Sequence, residues 1–184
     1  MKPVAAIAVA SACVDWERAC PGAVRLARKA ARVALASGIP TTGLVWLGQI
    51  EIAITLADDA EQRRLNGLFA GRDAPTNVLA FPAWEAGIRA PSNAPLLLGD
   101  IVLAFETVAG EAVNQGKPFA DHLRHLIVHG VLHLIGYDHQ TTDEASIMES
   151  LETIILAKLG VPDPYQDSTS PVIGLFAHER SSIA

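Results

Sequence analysis

Three histidines in the last third of the chain have a spacing that suits a metal site. His129 and His133 are four residues apart, and His139 follows Gly136 at an offset of ten from His129. On an α-helix the first two lie one turn apart on one face, so both imidazoles can reach the same ion. Gly136 can adopt the left-handed conformation that ends a helix and turns the chain back. The spacing therefore predicts one metal ion bound by His129, His133 and His139.

The ligand set indicates what kind of metal site this is. Three imidazoles leave one position of a tetrahedral Zn²⁺ ion open, and an open position distinguishes catalytic from structural zinc sites. The offsets also reproduce the His/His/Gly/His frame of the metzincin zinc motif. The glutamate that follows the first histidine in zinc peptidases is replaced by Gly130. A peptidase would therefore need a carboxylate from elsewhere, and Asp138 and Glu144 are the nearby candidates.

The three remaining histidines carry weaker signals. His125 lies one turn before His129, but it is eight residues from His133. That separation is about 12 Å of helical rise, too far for two nitrogens that bind one ion at about 2.1 Å. We therefore predict that His125 is a neighbour of the site and not a ligand. His122 and His178 have no informative spacing, and we predict that both face solvent.

Periodicity and turn residues place the motif in an α+β chain. Strands are predicted at 4–10, 49–56, 77–81 and 96–105, the last interrupted at Gly99 and Asp100. The predicted helices are 21–37, closed by Gly38, then a helix capped by Asp58 that runs to about residue 68, and 106–115, 119–135 and 142–159. Strands early and helices late predict a single α+β domain: a small mixed β-sheet packed with helices, with a zinc-metalloprotease-like histidine helix. We assign residues 1–165 to this domain, 83–95 to an exposed insertion and 166–184 to a tail that is partly ordered at best.

Composition limits the classes of protein to which this chain can belong. Half of the residues are apolar, and 14 basic against 20 acidic side chains give a formal charge of -6. This balance argues against a nucleic-acid binder that relies on net charge. Cys13 and Cys20 form no metal-binding motif and are interpreted as free thiols in a reducing, cytoplasmic compartment. The apolar run 4–10 after Lys2 resembles a short signal peptide, but one lysine is a weak positive region and we interpret the run as a strand. No segment approaches the roughly 18 apolar residues of a membrane span.

Contact with RNA would therefore need a local basic patch. Arg25, Arg28, Lys29 and Arg32 lie at offsets of zero, three, four and seven, so they form one stripe on the predicted helix 21–37. The stripe is our candidate for RNA binding. An ordinary solvated helix face is the alternative, and the sequence leaves both open.

Three blocks of the sequence together resemble the YbeY family of bacterial endoribonucleases and rRNA maturation factors. They are DAPTNVLAFP at 73–82, LGDI at 98–101, and the segment 125–139 that ends in HLIGYDH. The resemblance implies a single α+β domain with a metal cleft that cleaves single-stranded RNA. It also implies action in 3′-end maturation of small-subunit rRNA and in ribosome quality control, with RNA and the small subunit or its proteins as partners. The family's three metal ligands fall on His129, His133 and His139, which implies one Zn²⁺ ion per chain.

The chain departs from the family pattern beside the first block. The arginine that many relatives carry near the cleft falls on Ala70, while Arg72 occupies a position where relatives often have lysine. The serine common before the Phe-Pro pair is Ala80. We predict that Arg72 replaces the missing side chain and contacts the scissile phosphate, where a guanidinium can bind two oxygens. We further predict that Asp138 forms a hydrogen bond to a ligand or to loop amides and does not bind the metal.

Two other functions compete with a zinc-assisted ribonuclease. One is a metzincin-like zinc peptidase, which lacks its usual base here. The other is a non-catalytic ribosome assembly factor in which zinc only stabilises the fold. The absence of a fourth protein ligand in the motif argues against this last function, because structural zinc sites are closed by four protein ligands.

Overall fold

A mixed four-stranded sheet forms the centre of the computed structural model, which describes residues 4–42, 49–84 and 95–166. The strands are β1 (Val4–Ser11), β2 (Gln49–Ala57), β3 (Val78–Pro82) and β4 (Leu96–Ala104). Their spatial order is β1-β2-β4-β3. The first three in that order run parallel, and β3 is antiparallel to β4. The predicted small mixed sheet is confirmed.

Helices account for most of the rest of the described chain. They are α1 (Asp15–Ala19), α2 (Ala23–Thr42), α3 (Asp59–Ala70), α4 (Phe105–Asn114), α5 (Phe119–Leu134) and α6 (Thr142–Lys158). All five predicted helices are present, and the predicted cap is confirmed because the Asp58 side chain accepts from the Glu61 N–H. The short helix α1 was not predicted. It is anchored by the buried Trp16, whose indole N–H donates to the Ala57 carbonyl at 2.8 Å.

Helix α2 continues past Gly38, where the sequence predicted its end. A Cβ atom at position 38 would lie 2.5 Å from Ile135 Cδ1 and 3.1 Å from Leu132 Cδ2. The glycine is therefore a close-packing residue on α2 and not a helix terminator. The prediction was wrong because a glycine that ends a helix and a glycine that allows close packing look alike in a sequence. Only the packing of α2 against α5 distinguishes them.

Strand β4 also runs through the point where an interruption was predicted. Gly99 has a φ of +140°, and a Cβ there would lie 2.0 Å from the Phe81 carbonyl oxygen on β3. The pairing register between β2 and β4 shifts at Glu51 and Ile52. The glycine thus marks an irregularity inside a continuous strand, as glycines in strands commonly do.

Helix α5 lies in the middle of the core. It packs against α2, α4 and α6 and against strands β3 and β4. Twelve of its sixteen residues are buried, including four histidines. Burying a polar side chain without a partner is costly, so these histidines must find partners inside the protein.

Several predictions concern residues outside the described part of the chain. These are Lys2, the greater part of the insertion 83–95, the tail beyond residue 166 and His178. Among the residues that are described, none of the helices combines the length and apolar character needed to cross a membrane.

Candidate metal centre

Helix α5 holds two of the predicted metal ligands against each other. The ring centroids of His129 and His133 lie 4.6 Å apart, and their Nε2 atoms approach to 3.2 Å. Both residues are at most 5% exposed. The separation of one helical turn thus produces the juxtaposition expected from the sequence.

A turn at Gly136 brings the third histidine to the same place. Gly136 has a φ of +98°, in the left-handed region, and its N–H donates to the His133 carbonyl at 3.0 Å. The His139 ring then lies 5.5 Å from that of His129 and 5.1 Å from that of His133. Ring nitrogens of the three residues all fall within 4.8 Å of one another. The predicted convergence of the three histidines is confirmed.

This donor set fits a metal ion. A tetrahedral zinc ion with Zn–N bonds of about 2.1 Å holds its ligand nitrogens about 3.4 Å apart, close to the 3.2 Å between the His129 and His133 Nε2 atoms. Burial, followed by the neighbouring His129 and His139, lowers the pKa of His133 to about 2. Metal ligation requires the neutral imidazole, which is the form that this environment favours.

A carboxylate that the sequence analysis missed lies behind the histidines. Glu152 of α6 is fully buried, and its Oε1 accepts a hydrogen bond from His129 Nδ1 at 2.7 Å. Its Oε2 contacts His125 Nε2 at 2.8 Å and also accepts from the Tyr165 hydroxyl. Burial alone would raise the pKa of Glu152, but His129 and His125 hold it below its usual range. The carboxylate is therefore kept charged by the groups around it.

A signal for Glu152 exists in the sequence but is weak. Met148, Glu152 and Leu156 lie four residues apart, and all three are buried. A lone acidic residue on an otherwise apolar helix face is a recognisable anomaly. Its partner His129 is 23 residues away. The motif spacing around the histidines therefore contains no information about it.

The other two described histidines have different outcomes. His125 contacts Glu152 and is outside the group of three, which agrees with the predicted role of a neighbour. His122 was predicted to face solvent, and this is wrong because it is 1% exposed. Its Nε2 lies 2.7 Å from Glu111 Oε2, and the same carboxylate accepts from the Asn77 amide at 3.1 Å. The prediction failed because α5 is covered by α4 on this side, which no local pattern reveals.

A cavity of about 150 Å³ adjoins the histidines. It is lined by His129, His139, Ala145, Met148, Glu149, Glu152 and Tyr165. Among the described residues, the lining contains two carboxylates and neither lysine nor arginine. A lysine or arginine of the described chain that meets a phosphate at this site would therefore have to reach it from outside this lining.

The loop predicted to supply such a cation lies at the end of α3. Ala70 is the last residue of the helix, and Gly71 caps it with a φ of +64°. Arg72 is exposed, and its backbone N–H donates to the Asn66 carbonyl at 3.2 Å. Within the described residues its guanidinium forms no ion pair, whereas the nearby Arg63 binds Asp73 at 2.6 Å. The role of Arg72 stays a prediction.

The basic stripe on α2 is exposed at three of its four positions. Arg25, Lys29 and Arg32 are exposed, while Arg28 is half-buried and donates from Nε to the Ile7 carbonyl at 3.2 Å. Arg28 therefore ties α2 to β1. None of the four residues lines the cavity beside the histidines.

The carboxylates considered for a peptidase have other partners. The Asp138 side chain accepts from the His139 backbone N–H at 2.8 Å. Its predicted role beside the metal stays a prediction. Glu144 forms a capping box with Thr141 at the start of α6 and is exposed. At position 130 a Cβ atom would lie 3.1 Å from Ile101 Cγ2, so the core fills the space where a side chain would begin.

The fold and the centre together define a single-domain α+β protein with a buried three-histidine site. The family model described as Endoribonuclease YbeY matches residues 27–160. The chain therefore belongs to the YbeY family, as its three sequence blocks indicated.

Two individual relatives, both named Endoribonuclease YbeY, agree with this assignment. An Endoribonuclease YbeY of Paramagnetospirillum magneticum is 49% identical over 161 residues, which cover 86% of this chain and 94% of that protein. One from Rhodospirillum rubrum is 47% identical over 167 residues, covering 90% of this chain and 84% of that protein. A solution structure of a Thermotoga maritima protein matches 89% of this chain and 97% of its own length, with 20% identity and a TM-score of 0.49.

Proposed function

We propose that this protein is a metal-dependent endoribonuclease that hydrolyses phosphodiester bonds within single-stranded RNA. The observation that carries the proposal is the convergence of three histidine nitrogens within 4.8 Å in a member of the YbeY family. The proposed cofactor is one zinc ion per chain, with His129, His133 and His139 as ligands. The proposed setting is the cytoplasm, in small-subunit rRNA 3′-end maturation and ribosome quality control.

The chemistry divides between the cofactor and the chain. When bound, zinc supplies Lewis-acid chemistry at a phosphodiester, lowering the pKa of water and neutralising phosphate charge. The chain presents three imidazoles, two from one face of α5 and one from the turn at Gly136. Asp138 steadies that turn through the His139 N–H. This division needs no glutamate at position 130.

Binding of RNA falls to surface cations in this proposal. In the absence of a metal, the two carboxylates in the described cavity lining disfavour phosphate groups. We assign the scissile phosphate to Arg72, whose guanidinium makes no ion pair among the described residues. We assign the rest of the strand to the stripe on α2. Attraction to a polyanion then comes from local positive charge despite the net charge of -6.

One experiment separates this function from its competitors. Zinc-loaded protein is incubated with end-labelled single-stranded RNA and, separately, with a peptide library, alongside His133→Ala. We expect internal cleavage of RNA, no peptide cleavage, and loss of RNA cleavage in the variant. Peptide cleavage would indicate a zinc peptidase. Absence of both activities from zinc-loaded, folded protein would favour the non-catalytic assembly factor.

A further inference from the structure

A buried hydrogen-bond cluster behind the three histidines has no role in the function proposed so far. It consists of Glu152, His125 and Tyr165, and it touches the histidine centre through His129. Glu152 is 0% exposed. A fully buried carboxylate is costly unless its environment compensates it. A fully buried carboxylate beside the histidine centre therefore needs an explanation.

The first oxygen of Glu152 determines which nitrogen of His129 can bind a metal. Oε1 lies 2.7 Å from His129 Nδ1, and an ionised carboxylate can only accept hydrogen bonds. Nδ1 must therefore carry the hydrogen. In the neutral ring, which is the form that binds a metal, the lone pair is then on Nε2, the atom that faces His133 at 3.2 Å.

The second oxygen of Glu152 is held from two directions. His125 Nε2 approaches it to 2.8 Å from α5, and the Tyr165 hydroxyl donates to it from the segment after α6. The Tyr165 ring also packs edge-on against His125, with centroids 5.7 Å apart. With both oxygens engaged, rotation of the carboxylate would break at least two hydrogen bonds.

The segment that delivers Tyr165 is itself fastened to the domain. Asp163 Oδ1 accepts from the Thr153 hydroxyl at 3.1 Å and from the Tyr165 backbone N–H at 3.0 Å. Lys117, between α4 and α5, donates to the Pro164 carbonyl at 3.0 Å. Tyr165 is therefore placed by contacts with α6 and with the loop that precedes α5.

We propose that Glu152, held by His125 and Tyr165, is a positioning residue for the three-histidine centre. It fixes His129 with Nε2 toward His133, where the three imidazoles would hold the ion, and its negative charge would favour a bound cation. This inference rests on the proposed metal binding by the three histidines. Contacts of this kind orient metal ligands, and their loss typically weakens metal affinity about 10- to 100-fold.

The test compares two glutamates on the same helix. Glu152→Gln removes the charge and keeps the shape, while Glu149→Gln removes an equal charge from an exposed residue that lines the same cavity. Zinc affinity is measured by competition with a chromophoric chelator. The tautomer of His129 is read from its imidazole nitrogen shifts in long-range ¹H–¹⁵N NMR spectra of zinc-free protein. We expect affinity at least about 10-fold weaker for Glu152→Gln, with loss of the pure Nδ1–H tautomer, and a change below about two-fold for Glu149→Gln.

Two further variants keep the test decisive. Tyr165→Phe retains the ring contact with His125 but removes the hydroxyl, so it reports on the cluster even if Glu152→Gln fails to fold. We expect a loss of zinc affinity near the lower end of the usual range, about 10-fold, because His125 still contacts Glu152 Oε2. Equal affinity for wild type, Glu152→Gln and Tyr165→Phe would overturn the positioning role. His133→Ala must abolish tight zinc binding in the same assay. If it does not, the metal site itself is wrong, which is a separate failure.

Discussion

The histidine centre and the cationic surface differ in how closely the fold specifies them. At the centre, two helices and a segment after α6 converge on one carboxylate, and its contacts measure 2.7 and 2.8 Å to the two histidines. On the surface, Arg25, Lys29 and Arg32 extend from α2 into solvent. Burial makes each polar contact obligatory, whereas exposed charges are satisfied by water. We therefore expect substitutions at the centre to have large effects on metal binding, and substitutions on the surface to have smaller effects on the binding and cleavage of RNA.

The sharpest expected effect is the loss of metal from the centre. Protein purified without added metal should contain about one zinc or similar ion per chain, and a His129→Ala, His133→Ala double variant should contain almost none, because two of three ligands are gone. Elemental analysis by mass spectrometry measures the ratio. Asp138→Asn is the matched control and should retain its metal, because we predict that Asp138 is not a ligand and asparagine keeps an oxygen that can accept from the His139 backbone N–H. Unchanged metal content in the double variant would contradict the assignment.

Acid should weaken the metal-free protein through the same buried histidines. Burial lowers the pKa of His125, and burial with its neighbours lowers that of His133 from 6.5 to about 2. Below pH 6.5 the unfolded chain binds protons at these histidines, whereas the folded chain does not. Their contribution to the free energy of unfolding is therefore fully present above pH 6.5 and is lost as the pH falls. Between pH 7.5 and 5.5 we expect a loss of about 1 to 3 kcal/mol in the free energy of unfolding.

Urea denaturation of chelator-treated protein at the two pH values measures this loss. His133→Asn should show a shallower dependence, because one of the two contributing groups is absent. Equal midpoints for the wild type at both pH values would show that these histidines titrate normally in the fold.

Substitution of Arg72 on the surface should have an effect of intermediate size. If it contacts the scissile phosphate, Arg72→Ala should slow RNA cleavage by about ten-fold or more while changing the dissociation constant less. Arg64→Ala is a suitable control, because Arg64 is also exposed on α3 but binds Glu61 at 2.7 Å. Single-turnover cleavage and filter binding give the two quantities. Normal cleavage by Arg72→Ala would leave catalysis to the metal or to another group.

The mildest change should come from the stripe on α2. Replacing Arg25, Lys29 and Arg32 with glutamine should weaken RNA binding and reduce the slope of log affinity against log salt by about 2, if each cation meets one phosphate. Arg28→Gln is tested separately, because its bond to the Ile7 carbonyl makes it part of the fold. An unchanged salt slope in the triple variant would identify the stripe as a solvated helix face.

The same contrast explains what could be predicted from the sequence. His129, His133 and Gly136 were recognised because helix geometry links residues a few positions apart. Glu152 and the burial of His122 were missed because both depend on which helices cover α5. Gly38 was misassigned for a related reason, because the residue that it packs against, Ile135, is almost 100 residues away in the sequence. Local periodicity gives the elements and the motif, and tertiary packing decides the rest.

Gly38 links the packing of α2 to the segment that carries the third histidine. Its empty side-chain position is occupied by Ile135, which directly precedes the Gly136 turn that carries His139. Protein interiors are stiff, so a methyl group added at position 38 would have to displace the end of the Ile135 side chain below that turn. Metal ligands tolerate misplacement of only about 0.5 Å. The effect of Gly38→Ala on the histidine centre therefore depends on whether the Ile135 side chain can move aside without moving the Gly136 turn.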